Sequence, residues 1–206
     1  MENPGSDKLN YLALGDSYTI GESITASDRW PVQLAGLLRQ HDIDVADPDI
    51  IAHTGWTTTE LQDAILKSGN QKKYDLVSLL IGVNNQYRGQ PQPVYRTEFR
   101  LLLQTAIAFA DEKVSRVVVL SIPDWSYSPF AQARDKAIIS KEINQFNAIA
   151  QDECQRATIA FVDITPISRQ FIDNTEFAPD DLHYSGLHMR RWAEVALPIV
   201  KPLLVS

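Results

Sequence analysis

One cysteine, Cys154, stands in 206 residues, so no disulfide within the chain can staple the fold. It falls in a helical pattern, where a small buried thiol is the expected role. Equally missing is any apolar run near the roughly 18 residues that cross a bilayer. The longest, Leu76 to Ile81 and Val117 to Leu120, have the length of buried strands, so stable membrane insertion is not expected. Positive charge is scarce as well. Nineteen Lys and Arg face 26 Asp and Glu, a formal net charge of -7, which opposes attraction to phosphate backbones and disfavours a nucleic-acid partner. Met1 to Tyr11 has neither the basic start nor the apolar core of a secretory signal, so a cytoplasmic setting is expected.

Metal and nucleotide chemistry lack their usual residues. No pair among the four histidines, His41, His53, His183 and His188, has the four-residue helical spacing of a metal site. Gly15 to Gly21 has the glycine spacing of a phosphate loop but no lysine to hold a phosphate. The expectation is therefore no metal and no cofactor. No heptad pattern marks an oligomer interface, and the oligomeric state stays open.

Hydrophobic residues make up 44% of the chain and charged residues 22%, enough for a sizeable core. Without repeats, low-complexity tracts or Gly/Ser linkers, a single domain over 1–206 is expected. Short apolar runs at Tyr11 to Leu14, Asp49 to Ala52, Leu76 to Ile81, Val117 to Ile122 and Thr158 to Ile164 read as five strands. Between them lie helical patterns at Trp30 to Gln40, Thr57 to Leu66, Tyr95 to Asp111 and about Ala133 to Arg156, and a last helix follows the loop from Pro166 to Leu182. Strands apolar on both faces that alternate with amphipathic helices imply a parallel sheet covered on each side, a three-layer α/β/α fold. In such sheets the ligand crevice lies beyond the carboxyl ends of the strands.

Several chemistry-bearing residues fall at those ends. Gly15, Asp16 and Ser17 follow the first strand directly, although a serine in a strand-to-helix loop is ordinarily a cap or turn residue. A serine nucleophile needs a base, a group that orients the base, and donors for the developing oxyanion. Asp180 precedes His183 by three residues in a turn-rich stretch, so a local loop can direct the carboxylate onto one imidazole nitrogen. Asp181 is a second candidate for that role, and an Asp-rich turn capping the last helix is the plainer alternative. Gly55 and Asn84 each follow a different strand, so a Gly55 amide and the Asn84 side chain can converge with Ser17 as an oxyanion site. Singly, each is an ordinary turn residue. His188 is a rival base, expected to be a partly exposed helix residue.

Four blocks in this order, GDSY at Gly15 to Tyr18, Gly55 in HTGW, GVNN at Gly82 to Asn85, and DDLH at Asp180 to His183, resemble the SGNH (GDSL-type) hydrolases over nearly the whole chain. The resemblance implies a five-stranded flavodoxin-like sheet and serine esterase activity on a small-molecule ester. It implies Ser17 as nucleophile, His183 and Asp180 as its partners, and an oxyanion hole of the Ser17 amide, Gly55 and Asn84. Two positions depart from the family pattern: Asn85 stands where aspartate is frequent, and Asp181 where glycine is common. Trp56, Tyr87, Trp125, Tyr127, Phe130 and Tyr184 fall in or near loops at the same edge, either lining a pocket or packing the core. The competing class is a non-catalytic binding protein that holds a small ligand in the same crevice.

Overall fold

The computed structural model describes residues 8–170 and 173–205. Five parallel strands, β1 (Tyr11–Gly15), β2 (Asp49–Ala52), β3 (Leu76–Leu80), β4 (Val117–Leu120) and β5 (Ala160–Val162), form one sheet in the order β2-β1-β3-β4-β5. Every residue of β1, β3 and β4 is buried, whereas β2 and β5 at the margins are only partly so. This is why the central runs read as unbroken apolar stretches: helices cover both of their faces.

The long helices are α2 (Trp30–Gln40), α3 (Thr58–Ser68), α5 (Gln92–Phe109), α6 (Lys136–Ala157) and α8 (Gly186–Val205). Helix α2 packs on α8, and α5 packs on α3 and α6. Their starts have local causes. Thr57 and Glu60 form a reciprocal capping box ahead of α3, and Asp135 accepts from the amides of Ala137 and Ile138 at the head of α6. That cap explains why α6 begins at Lys136 rather than near Ala133. At its other end Thr158 takes a left-handed conformation (φ 59°) to close the helix, which shortens β5 to Ala160–Val162 against the expected Thr158 to Ile164.

Among the described residues, α-helices of four or five residues follow three strands: α1 (Ser17–Ile20) after β1, α4 (Val83–Tyr87) after β3, and α7 (Thr165–Ser168) after β5. Cys154 is fully buried in α6, and burial pushes its thiol up to about 12, so it stays protonated and inert. Among the described residues no helix is long and apolar enough to cross a membrane.

Candidate active site

The strand order sets the site. With β1 between β2 and β3, the loops leaving these three strands emerge side by side at the point where the winding direction reverses. Ser17, Gly55 and Asn84 sit on those three loops, and all three line one cavity of ≈ 220 Å³ together with His183. The sheet brings the first three together and the loop before α8 adds His183, so the cavity joins positions up to 166 residues apart in sequence.

Gly15 permits the turn out of β1. A Cβ there would lie 2.2 Å from Thr19 Oγ1 and 2.6 Å from the Leu80 carbonyl oxygen, so no side chain fits between the strand end, α1 and β3. Asp16 caps α1: its Oδ1 accepts from the Tyr18 amide at 3.0 Å, while its backbone carbonyl accepts from the amides of Thr19 and Ile20. Burial pushes the Asp16 carboxyl up to about 7, although the amide bonds oppose the rise. Ser17 is the first residue of α1, where a helix amide has no acceptor within the helix. The next three amides are taken by Asp16, which leaves the Ser17 amide as the open donor.

Gly55 has φ 87°, a left-handed turn conformation that favours glycine, and Arg88 holds its carbonyl with a 2.6 Å hydrogen bond from Nη2. The side-chain amide of Asn84 donates to the Trp56 carbonyl at 2.9 Å, which ties the loop after β3 to the loop after β2. An amide nitrogen carries two hydrogens, so one donor remains. Asn85 is fully buried and strengthens the same tie. Its Oδ1 accepts from the Thr58 amide at 3.2 Å, and its Nδ2 donates to Thr58 Oγ1 at 2.6 Å and to Gln90 Oε1 at 2.5 Å. The amide at 85 thus both donates and accepts, where a carboxylate would only accept.

His183 lies in the loop before α8, buried at 7% exposure. The loop closes on itself: Ala178 donates its amide to the His183 carbonyl at 2.7 Å, and Ser185 donates to the Glu176 carbonyl at 3.0 Å. His183 Nδ1 lies 2.7 Å from Asp180 Oδ2. Asp180 Oδ1 accepts from the amides of Leu182 and His183, and Oδ2 also accepts from the Ser23 hydroxyl at 2.7 Å. Partial burial pushes the Asp180 carboxyl upward, but the hydrogen bonds from Ser23, His183 and Leu182 outweigh it and hold the group at about 2. An ionised Asp180 accepts from Nδ1–H, which leaves Nε2 as the second ring nitrogen. The edge of the Tyr18 ring packs against the imidazole at 5.6 Å.

Asp181 takes no part in this pairing. It is exposed with φ 62°, and its carbonyl accepts from the Phe130 amide at 3.0 Å. His188 departs from its expected exposure: it is buried at 1%, with Nδ1 2.5 Å from Glu176 Oε2, to which Arg191 also donates. It does not line the cavity of Ser17. Among the aromatics, Tyr87, Trp125 and Phe130 line that cavity, with Tyr18, Val83 and Leu182 completing its apolar wall and Thr54 at its polar side. Tyr184 is instead core, its ring tilted against His188 and meeting Trp192 edge-on. Trp56 stacks on His53, and neither it nor Tyr127 lines the cavity. Sequence reasoning did not single out Ser23, Arg88 or Glu176. No local pattern marks them, because their partners lie 12 to 157 residues away. Among the described residues no group of three or more His, Cys, Asp and Glu side chains could hold a metal ion.

The fold recurs in solved structures. TesA superposes with a TM-score of 0.74 at 19% identity, over 95% of this chain and 99% of that one. The psychrotrophic esterase EstA from Pseudoalteromonas gives 0.71 at 15% identity, over 97% of this chain and all of that one. An acetyl-xylooligosaccharide esterase, Axe2 from Geobacillus, gives 0.71 at 16% identity, with 95% of each chain covered. No curated protein sequence matches. The GDSL-like lipase/acylhydrolase family matches residues 13–191, which takes in every block from the first strand to the last helix, and the chain belongs to that family.

Proposed function

We propose that the chain is a carboxylic ester or thioester hydrolase working through Ser17, His183 and Asp180. The observation that carries this reading is the 2.7 Å contact of His183 Nδ1 with Asp180, in a loop that sets His183 into the same cavity as Ser17, Gly55 and Asn84. His183 Nε2 takes the proton of the Ser17 hydroxyl as Oγ attacks the acyl carbonyl, and Asp180 holds the imidazole in the required tautomer and steadies the imidazolium. The open Ser17 amide, the Gly55 amide and the second hydrogen of Asn84 face the developing oxyanion. His183 then returns the proton to the leaving alcohol or thiol, leaving an acyl-enzyme on Ser17. Water, deprotonated by the same imidazole, releases the acid and restores the serine.

The apolar wall of the cavity suits the acyl part of a small ester. Short-chain, lysophospholipid, thioester and acetylated-sugar substrates all contain that part, and the acetyl-xylooligosaccharide esterase that shares the fold acts on the last kind. Hydrolysis of nitrophenyl acetate, butyrate and octanoate by the wild type and by Ser17→Ala tests the reading. Loss of Ser17 is expected to lower turnover by about four to six orders of magnitude, and Asn84→Ala by about two to three. Equal rates for wild type and Ser17→Ala would overturn the proposal in favour of a binding protein.

A further inference from the structure

The outer wall of the acyl cavity is unusually built. Trp125 is fixed: it is 3% exposed and its Nε1 donates to Gln86 Oε1 at 2.9 Å, while Gln86 in turn donates to Glu142. Its neighbours in the wall, Tyr87 at 50% and Phe130 at 42% exposure, each rest one side on Trp125, with ring centres 5.6 and 6.2 Å away. Arg134 adds one contact common to all three. Its guanidinium carbon lies 5.2 Å from the Tyr87 ring centre, 5.4 Å from Trp125 and 5.2 Å from Phe130, and Nη2 donates to the Tyr87 hydroxyl at 3.0 Å. No ion pair among the described residues engages this arginine. A planar cation with no carboxylate partner, over three rings and bonded to one of them, is held by those rings and holds them in return.

Directly behind the wall is a second cavity of ≈ 440 Å³, which shares Tyr87 and Trp125 with the first. Its lining includes Ile138, exposed at 54%, and Ile139, so it offers apolar surface on the far side. We infer that Arg134 is a specificity-determining residue, a latch that keeps Tyr87 and Phe130 against Trp125, closes the acyl cavity from its neighbour and restricts the enzyme to short acyl chains. With the latch removed, the half-exposed rings can swing apart and the distal methylenes of a longer chain can reach Ile138 and Ile139, where burying them is favourable.

The inference rests on the ester-hydrolase reading, and its test separates the two. Steady-state kinetics with nitrophenyl butyrate and octanoate are compared for wild type, Arg134→Lys and Arg134→Ala. The octanoate-to-butyrate ratio of kcat/KM is expected to rise about tenfold in Arg134→Ala, through a lower KM for octanoate. Arg134→Lys, which keeps the charge but not the planar fork, should fall between. A ratio within about twofold of wild type, in a variant with unchanged circular dichroism and melting temperature, overturns the latch while leaving ester hydrolysis standing. Calorimetric titration with octanoate and butyrate reads the same cavity without turnover. Octanoate affinity should tighten about tenfold in Arg134→Ala, with butyrate as the control for the carboxylate, and an unmoved octanoate affinity overturns the latch even if no ester is hydrolysed.

Discussion

At Asp16 two demands fall on one carboxyl group beside the proposed nucleophile. Oδ1 caps the Tyr18 amide, while Oδ2 is buried without a partner and burial raises the group from 3.8 to about 7. Between those values the folded chain holds a proton that the unfolded chain has released. This contribution therefore favours folding most below pH 4, declines as pH rises toward 7, and is level above it. The change is of order 4 kcal/mol across that window. Asp16→Asn keeps an oxygen for the cap and cannot ionise, so urea unfolding from pH 4 to 8 should give a flatter profile than wild type, with the variant gaining most at the alkaline end. Asp180 has the opposite sign. Held at about 2 although partial burial works against it, it adds stability above the ordinary carboxylate range that is lost as pH falls. Asp180 and His183 were legible as neighbours because three residues of a turn separate them. The choice between Asp180 and Asp181 needed the backbone: the left-handed conformation of Asp181 aims its carbonyl at Phe130 and leaves the imidazole to Asp180.

Among the elements, the segment from Glu176 into the first turn of α8 at His188 is the one that holds His183 in the cavity of Ser17. Its two ends are pinned by a buried contact, Glu176 Oε2 to His188 Nδ1 at 2.5 Å, and Arg191 on α8 donates to the same oxygen at 2.9 Å. Burial lowers the His188 imidazole despite the acid beside it, which favours the neutral ring. Glu176→Gln removes a buried carboxylate shared by two donors and should destabilise the protein by about 3 kcal/mol in urea unfolding. No change, within about 0.5 kcal/mol, would show that the contact is not a clamp. This pairing was invisible in the sequence, where His188 reads as one side chain on a helix. The long helices and inner strands were readable because periodicity accumulates over ten or more residues. Helices α1 and α4 were not, since four or five residues give no period, and yet these two carry Ser17 and Asn84.

Over the whole molecule, one sheet and two helix layers share a core that reaches from Tyr11 to Leu204. A single domain should therefore give one calorimetric unfolding transition, with van't Hoff and calorimetric enthalpies agreeing, and two resolved transitions would refute it. The parallel sheet was legible from the alternation of apolar runs and helical patterns, and the convergence of Ser17, Gly55 and Asn84 from their places at the ends of different parallel strands, whereas the strand order that sets them side by side needed the structure. The cavity wall was not legible. Trp56, Tyr127 and Tyr184 were as plausible as Tyr87, Trp125 and Phe130 until packing sorted them, because an aromatic in a loop serves core and pocket equally well. The proposed chemistry requires an activated Ser17 hydroxyl, and covalent labelling reads that directly. Treatment with an alkyl phosphonate ester followed by peptide mass mapping should place one phosphonyl group on the peptide containing Ser17, with none in Ser17→Ala and much slower labelling in His183→Ala. A label on another residue, or equal labelling of wild type and Ser17→Ala, would contradict it.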